Sequence, residues 1–211
     1  MDEYDLIADW YATERRGPGG GVPEVESLIA RVPIGAWVLD VGCGNGIPLT
    51  RTLLGAGCKV LGIDSSTRML ERFEANCPGT PFIRAPIQSA DLEGRRFDAA
   101  VAWGVLFHLP HDEQRQAIAK IASVLKPGGL FLFTAGDEDG EKEGDPMNGV
   151  PFHYWSFSID GYRELLRANG LTLVDVHRDA GQNIYYLARN DGYVPARNGR
   201  VNSEADSPNC R

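Results

Sequence analysis

VLDVGCGNGIP, residues 38–48, is a short apolar run containing an acid, Asp40, followed by glycines at alternate positions, Gly42, Gly44 and Gly46. A glycine turn between a strand and a helix lays backbone against a ligand, and the neighbouring residues decide which ligand. A Walker-type phosphate loop needs Lys and then Ser or Thr after its last glycine, where this chain has Ile47 and Pro48. The dinucleotide pattern wants a small residue three positions after Gly44; that position is Ile47, and the third glycine comes one residue early. A pyrophosphate at this turn would face the Asp40 carboxylate without a compensating cation. An ammonium or sulfonium group would gain from the same carboxylate. Asp64 closes the next strand, KVLGID (59–64), where a carboxylate can accept hydrogen bonds from a ribose diol.

Outward from the turn, strands and helices alternate. Strands are expected at 37–41, 59–64, 82–85, within 97–104 and at 130–136, with helices at Pro48–Leu54, Thr67–Asn76 and Asp112–Leu125, the last stopped by KPGG. Ahead of them, Tyr4–Glu14 and Pro23–Arg31 read as helices flanking RRGPGGG, a stretch that cannot continue a helix. After strand five, DEDGEKEGD (137–145) and the residues to Pro151 read as a solvated acidic loop. Ser158 or Asp160 then caps a helix through Ala168. LTLVDVHR (171–178) and NIYYLAR (183–189), joined by only DAGQ, must be antiparallel. The fold class is therefore α/β: an open, mostly parallel sheet with one reversed strand near an edge and helices on both faces.

The formal charge of −8, with no dense Lys/Arg cluster, argues against a nucleic-acid partner. No window approaches the ~18 apolar residues of a membrane span, and MDEYDLIADWY lacks the features of an export signal. Cytoplasmic location without membrane contact is the expectation. Cys43, Cys58, Cys77 and Cys210 are scattered, so they read as thiols, and no metal site is expected.

VLDVGCGNG, the acid in GIDSS, FDAAVAWGVLFHL and LKPGGLFLFT occur in an order that resembles the class I S-adenosylmethionine-dependent methyltransferases, over roughly residues 36–190. The resemblance implies a Rossmann-like sheet of seven strands in the order 3-2-1-4-5-7-6, strand 7 being antiparallel. One methyltransferase domain is expected over 1–190, with the N-terminal helix and the RRGPGGG stretch as a mobile lid in 1–23, and 191–211, which lacks apolar periodicity, as a loose tail. The resemblance also implies S-adenosyl-L-methionine as cofactor, released as S-adenosyl-L-homocysteine. Asp40, Gly42, Gly44 and Gly46 would surround the methionine half, with Tyr11 near its carboxylate. Asp64 would hold the ribose, Ser65 and Met69 would lie beside the adenine, and Ile87 and Gln88 would flank its other edge. Trp103 and Gly104 would lie under the cofactor. Family members often carry an acid after strand three; RAPIQ has Pro86 in that place, leaving Gln88 or a backbone carbonyl to meet the adenine amine.

Methyl transfer requires orientation, exclusion of water and, for some acceptors, removal of a proton. In open α/β sheets the crevice lies beyond the carboxyl ends of the strands. Trp10, Phe107, Tyr154 and Trp155 are the expected acceptor contacts, with His153 as first and His108 as second candidate base; His111 reads as a surface residue. Each aromatic also has a bland reading as core. The expected acceptor is a small molecule. A cofactor-binding protein without turnover, or a non-methylating enzyme that uses the sulfonium's charge, would carry the same signature.

Overall fold

The computed structural model describes residues 3–14, 20–178 and 184–192. The expected lid sequence 15–19, the DAGQ turn and the tail beyond 192 lie outside those residues. Helices α1 (Glu3–Glu14) and α2 (Val22–Ile29) precede strand β1 (Trp37–Val41), α3 (Leu49–Gly55), β2 (Lys59–Asp64), α4 (Thr67–Asn76), β3 (Phe82–Arg84) and β4 (Phe97–Ala102). A 3-10 turn (Leu106–His108) leads to α5 (His111–Val124) and β5 (Leu125–Ala135). Then follow β6 (Gly140–Glu143), β7 (His153–Ser156), α6 (Ile159–Ala168), β8 (Leu171–Arg178) and β9 (Ile184–Asn190). No helix among the described residues is long and apolar enough to cross a membrane.

Seven strands form one sheet in the order β3-β2-β1-β4-β5-β9-β8, the order expected once the extra pair β6–β7 is set aside. The first five are parallel neighbours, and β9 runs antiparallel to both β5 and β8. Successive side chains point to opposite faces, which explains the near-continuous apolar runs. Leu39, Leu61, Ala100, Phe131 and Phe133 pack on one side with Ile118, Ile121, Tyr162 and Leu166 of α5 and α6. Val38, Val60, Ala99, Val101, Leu130 and Leu132 pack on the other with Val25 and Leu28 of α2 and Leu53 of α3. Burying each large side chain contributes about 1.5–3 kcal/mol.

Helix starts follow local chemistry. Ser66 accepts from Met69 N (3.1 Å) at the start of α4, and Ser158, rather than Asp160, caps α6 by accepting from Gly161 N (3.2 Å).

Two expectations need correction. KPGG does not separate α5 from its strand: β5 begins at Leu125, directly after the helix, and these residues form a bulge inside it. Phe97 pairs with Leu125 and Ala99 with Leu130, so the extra residues are on the β5 side. Asp98 ties the bulge down by accepting from Lys126 Nζ (2.8 Å) and Trp37 N (2.9 Å). The acidic stretch after β5 is not wholly loop either. Gly140–Glu143 pairs antiparallel with His153–Ser156, placing Glu141 opposite Trp155 and Lys142 opposite Tyr154. An exposed two-stranded ribbon with no buried face leaves no apolar alternation to read.

Candidate functional site

β1 ends where its chain must turn sharply under the sheet edge. Gly42, Gly44 and Gly46 all have left-handed φ (66°, 53° and 79°), the conformation that favours glycine. The Gly42 and Cys43 amides both donate to Ile63 O of β2 (2.7 and 3.0 Å), so the turn is pinned to the neighbouring strand. A Cβ on Gly42 would lie 2.1 Å from Val105 Cγ2, whereas one on Gly44 would meet no protein atom within 4 Å. Gly44 therefore presents bare backbone to open space. Gly104, at the end of β4, does the same (φ 75°), its amide donating to Thr134 Oγ1 at 2.7 Å.

That space is a cavity of about 900 Å³ at the carboxyl ends of the parallel strands, lined at one end by Asp40, the glycine turn, Trp103 and Gly104. Asp40 is 3% exposed and accepts from Thr50 Oγ1 at 2.5 Å. Burial pushes its carboxyl up to about 7, against the Thr50 hydrogen bond, with a further push from Asp64. Asp40 is thus a poorly solvated carboxyl on the cavity wall. Cys43 also lines the cavity, and burial raises its thiol well above its ordinary range, which favours the protonated form.

The other end is built from distant parts of the chain: Tyr4 and Tyr11 of α1, Phe107 and His108 of the 3-10 turn, the residues after β5, and Tyr154 and Trp155 of β7. The Tyr4 hydroxyl is 2.9 Å from His108 Nε2. The His108 ring contacts Phe107, Tyr154 and Phe152, with centroids 4.7, 5.1 and 5.4 Å away. Trp155 Nε1 donates to Glu141 (2.9 Å), and Arg178 of β8 pairs with Asp137 (2.7 Å).

Buried Gln114 of α5 holds this wall in place. Its Nε2 donates to Leu109 O (2.8 Å) and Trp155 O (2.9 Å), while its Oε1 accepts from Tyr162 Oη (2.7 Å). His111, expected on the surface, is half-buried; a ring nitrogen is 2.8 Å from Ser156 O and its ring lies on Phe157.

Of the residues expected from sequence, the cavity brings together Asp40, Gly42, Gly44, Gly46, Tyr11, Trp103, Phe107, His108, Tyr154 and Trp155. His153 is exposed, stacks on Trp155 and lies outside the cavity lining. Trp10 is half-buried and also outside it; Tyr4 takes the place expected of Trp10. Tyr4 and Tyr11 are seven apart, two helical turns on one face, and that spacing is the signal that could have found Tyr4.

The adenosine-side residues do not line this cavity. Asp64 accepts from Gly44 N and Ser66 N, both at 2.8 Å, and so joins the turns after β1 and β2. Ser65 follows it at the same bend. Met69 and Ile87 are core residues. Gln88 donates to Glu113 (2.8 Å), and its Oε1 is buried without a hydrogen-bond partner among the described residues. Helix α1 docks over this side: Asp5 accepts from Ser66 Oγ (2.6 Å) and Arg68 N (3.1 Å), and Asp9 pairs with Arg68 and Arg72.

A family model described as a methyltransferase domain matches residues 38–129. The chain is 31% identical over 132 residues to a tRNA (carboxymethyluridine(34)-5-O)-methyltransferase of Arabidopsis thaliana, covering 62% of this chain and 31% of the relative. It is 32% identical over 111 residues to a malonyl-[acyl-carrier protein] O-methyltransferase of Enterobacter lignolyticus, covering 52% and 43%. The matches thus span less than half the length of these curated relatives. Among solved structures, a 1,6-didemethyltoxoflavin-N1-methyltransferase of Burkholderia thailandensis, with 1,6-didemethyltoxoflavin and S-adenosylhomocysteine bound, superposes with a TM-score of 0.66 at 25% identity, covering 88% of this chain and 87% of that one.

Proposed function

We propose, from the premise that this chain belongs to the class I S-adenosylmethionine-dependent methyltransferase family, that it transfers a methyl group from S-adenosyl-L-methionine to a small-molecule acceptor. The observation that carries this reading is one continuous cavity with a buried carboxylate and bare glycine backbone at one end and His108 with its aromatic neighbours at the other.

The residues fit the cofactor. Asp40 is a buried acid suited to a cationic group, and the open faces of Gly44 and Gly104 leave room that any side chain would fill. Bound there, S-adenosylmethionine supplies an electrophilic methyl carbon on a positively charged sulfur. Asp40 and the glycine turn bind its amino-acid portion, and Trp103 packs beneath it. Asp64 and Ser65, at the bend joined to the glycine turn, serve the ribose, and Met69 and Gln88 stand on the adenine side. At the far end Phe107, Tyr154 and Trp155 orient the acceptor, and His108, rather than His153, is the base for acceptors that must shed a proton.

Electrostatics supports a small acceptor over a tRNA. The cavity wall carries Asp40, Asp137, Glu138, Asp139 and Glu141 against Lys142 and Arg178, on a chain of net charge −8. A polyanion would be repelled at the mouth. Calorimetry with S-adenosylmethionine, followed by S-adenosylhomocysteine formation with a panel of amines and phenols beside tRNA carrying carboxymethyluridine, tests the reading. Binding with turnover of a small acceptor is expected. Turnover of tRNA alone would refute the acceptor class, and absence of binding would refute the whole reading.

A further inference from the structure

Tyr4 and His108 are 104 positions apart in sequence, yet the Tyr4 hydroxyl lies 2.9 Å from His108 Nε2 on the cavity wall. We propose that they form a proton relay in which Tyr4 touches the acceptor and His108 takes the proton. The proposal rests on the methyltransferase reading above and deepens it: the acceptor is an amine or hydroxyl compound that carries an N–H or O–H at the atom to be methylated.

Both partners are held in place by contacts beyond their own hydrogen bond. Tyr4 is fixed by the docking of α1, through Asp5 on Ser66 and Arg68 and Asp9 on Arg68 and Arg72. The His108 amide donates to Val105 O (3.0 Å), and its ring is set among Phe107, Phe152 and Tyr154. Because Nε2 is engaged by the tyrosine, a proton bound for that nitrogen arrives through the hydroxyl. With the imidazole proton on Nδ1, Nε2 accepts from Tyr4 O–H, and the phenolic oxygen keeps lone pairs for an acceptor proton.

The step balances. The acceptor's lone pair bonds to the methyl carbon as the carbon–sulfur bond breaks, its electron pair staying on sulfur. The acceptor's proton passes to Tyr4 Oη, and Tyr4's own proton passes to His108 Nε2. The products are methylated acceptor, the thioether and an imidazolium that returns its proton to water. Tyr4 is regenerated neutral, and no phenolate accumulates.

Long-range 1H–15N spectra of the intact, histidine-labelled chain read the tautomer without any acceptor, with His108 assigned through His108→Gln. Neutral His108 protonated on Nδ1 is expected, with its Nε2 resonance displaced in Tyr4→Phe; a proton on Nε2 would overturn the relay. Tyr4→Phe and His108→Gln are each expected to slow S-adenosylhomocysteine formation by about 100-fold with an N–H or O–H acceptor. The double variant is expected to be no slower than the slower single one. Calorimetric binding of S-adenosylhomocysteine should stay within about threefold of wild type, since neither side chain is asked to hold the cofactor. Undiminished turnover in Tyr4→Phe, or losses that multiply in the double variant, would overturn the relay while leaving methyl transfer intact. A wild-type chain that binds no cofactor would instead remove the methyltransferase reading itself.

Discussion

Replacing Asp40 with asparagine is expected to stabilise the empty protein at alkaline pH while weakening its grip on S-adenosylmethionine. The Asp40 carboxyl, 3.8 when ordinary, is pushed up to about 7 by burial. At about 1.4 kcal/mol per pH unit, holding it ionised in the fold costs up to about 4 kcal/mol. The sign follows from a folded value raised above the unfolded one. Below pH 3.8 both states carry the proton and nothing is lost; the burden grows through the window from 3.8 to about 7 and is complete above it. Asparagine never ionises, and its oxygen can still accept from Thr50. The stability advantage of Asp40→Asn should therefore grow by about 1.5 kcal/mol between pH 6 and pH 8.5, measured by urea unfolding. Losing a charge-assisted contact of about 1.5–3 kcal/mol should weaken cofactor binding by roughly 10- to 100-fold. Wild-type binding near neutral pH should also release a proton, seen as a calorimetric enthalpy that depends on the buffer's ionisation heat. A variant that is less stable at pH 8.5 and binds the cofactor unchanged would make Asp40 a structural acceptor for Thr50 and refute this reasoning.

Gly42→Ala and Gly44→Ala are expected to separate packing from binding. The first drives a methyl into Val105 and should lose about 2–4 kcal/mol of stability, whereas the second, with no protein neighbour, should lose about 1 kcal/mol but weaken cofactor binding at least about tenfold. Equal thermal shifts for the two would contradict the geometry. Gln114→Leu removes the hydrogen bonds to the Tyr162 hydroxyl, which keeps a 3.4 Å contact with Ser156 Oγ, and to the Leu109 and Trp155 carbonyls, so urea unfolding should show a loss of about 2–4 kcal/mol; a loss under about 0.5 kcal/mol would mean that these groups find other partners. His153→Ala, a change on an exposed side chain outside the cavity, is expected to alter turnover by less than about twofold, and a large loss would restore His153 as a base.

The parallel half of the sheet was legible because its signals are local. Asp40, the three glycines and Asp64 sit within 25 residues, and each strand is a continuous apolar run bounded by turn residues. The wall opposite was harder to read. Tyr4 meets His108 across 104 positions, and no local pattern records that pairing. Tyr4 rather than Trp10 lines the cavity because of helical phase: both are aromatic, and only the Tyr4–Tyr11 spacing tells which face turns inward. The β6–β7 ribbon escaped because its side chains are half-buried or exposed, so pairing leaves no alternation. His153 and His108 look alike as aromatic-flanked histidines; only the ribbon's geometry turns the first outward.

Gln114 grips the ribbon only through the backbone carbonyl of Trp155, never through a ribbon side chain, and His111 does the same at Ser156. Those two bonds are therefore indifferent to which side chains the ribbon carries. Trp155, Glu141 and Lys142 can each be exchanged without breaking either bond or touching the glycine turn, whereas Tyr154 also packs on Phe107 and His108. Under the proposed function this makes the ribbon a faceplate on a fixed mount, and retargeting the protein to a new acceptor becomes a matter of rewriting exposed ribbon positions rather than refolding a core.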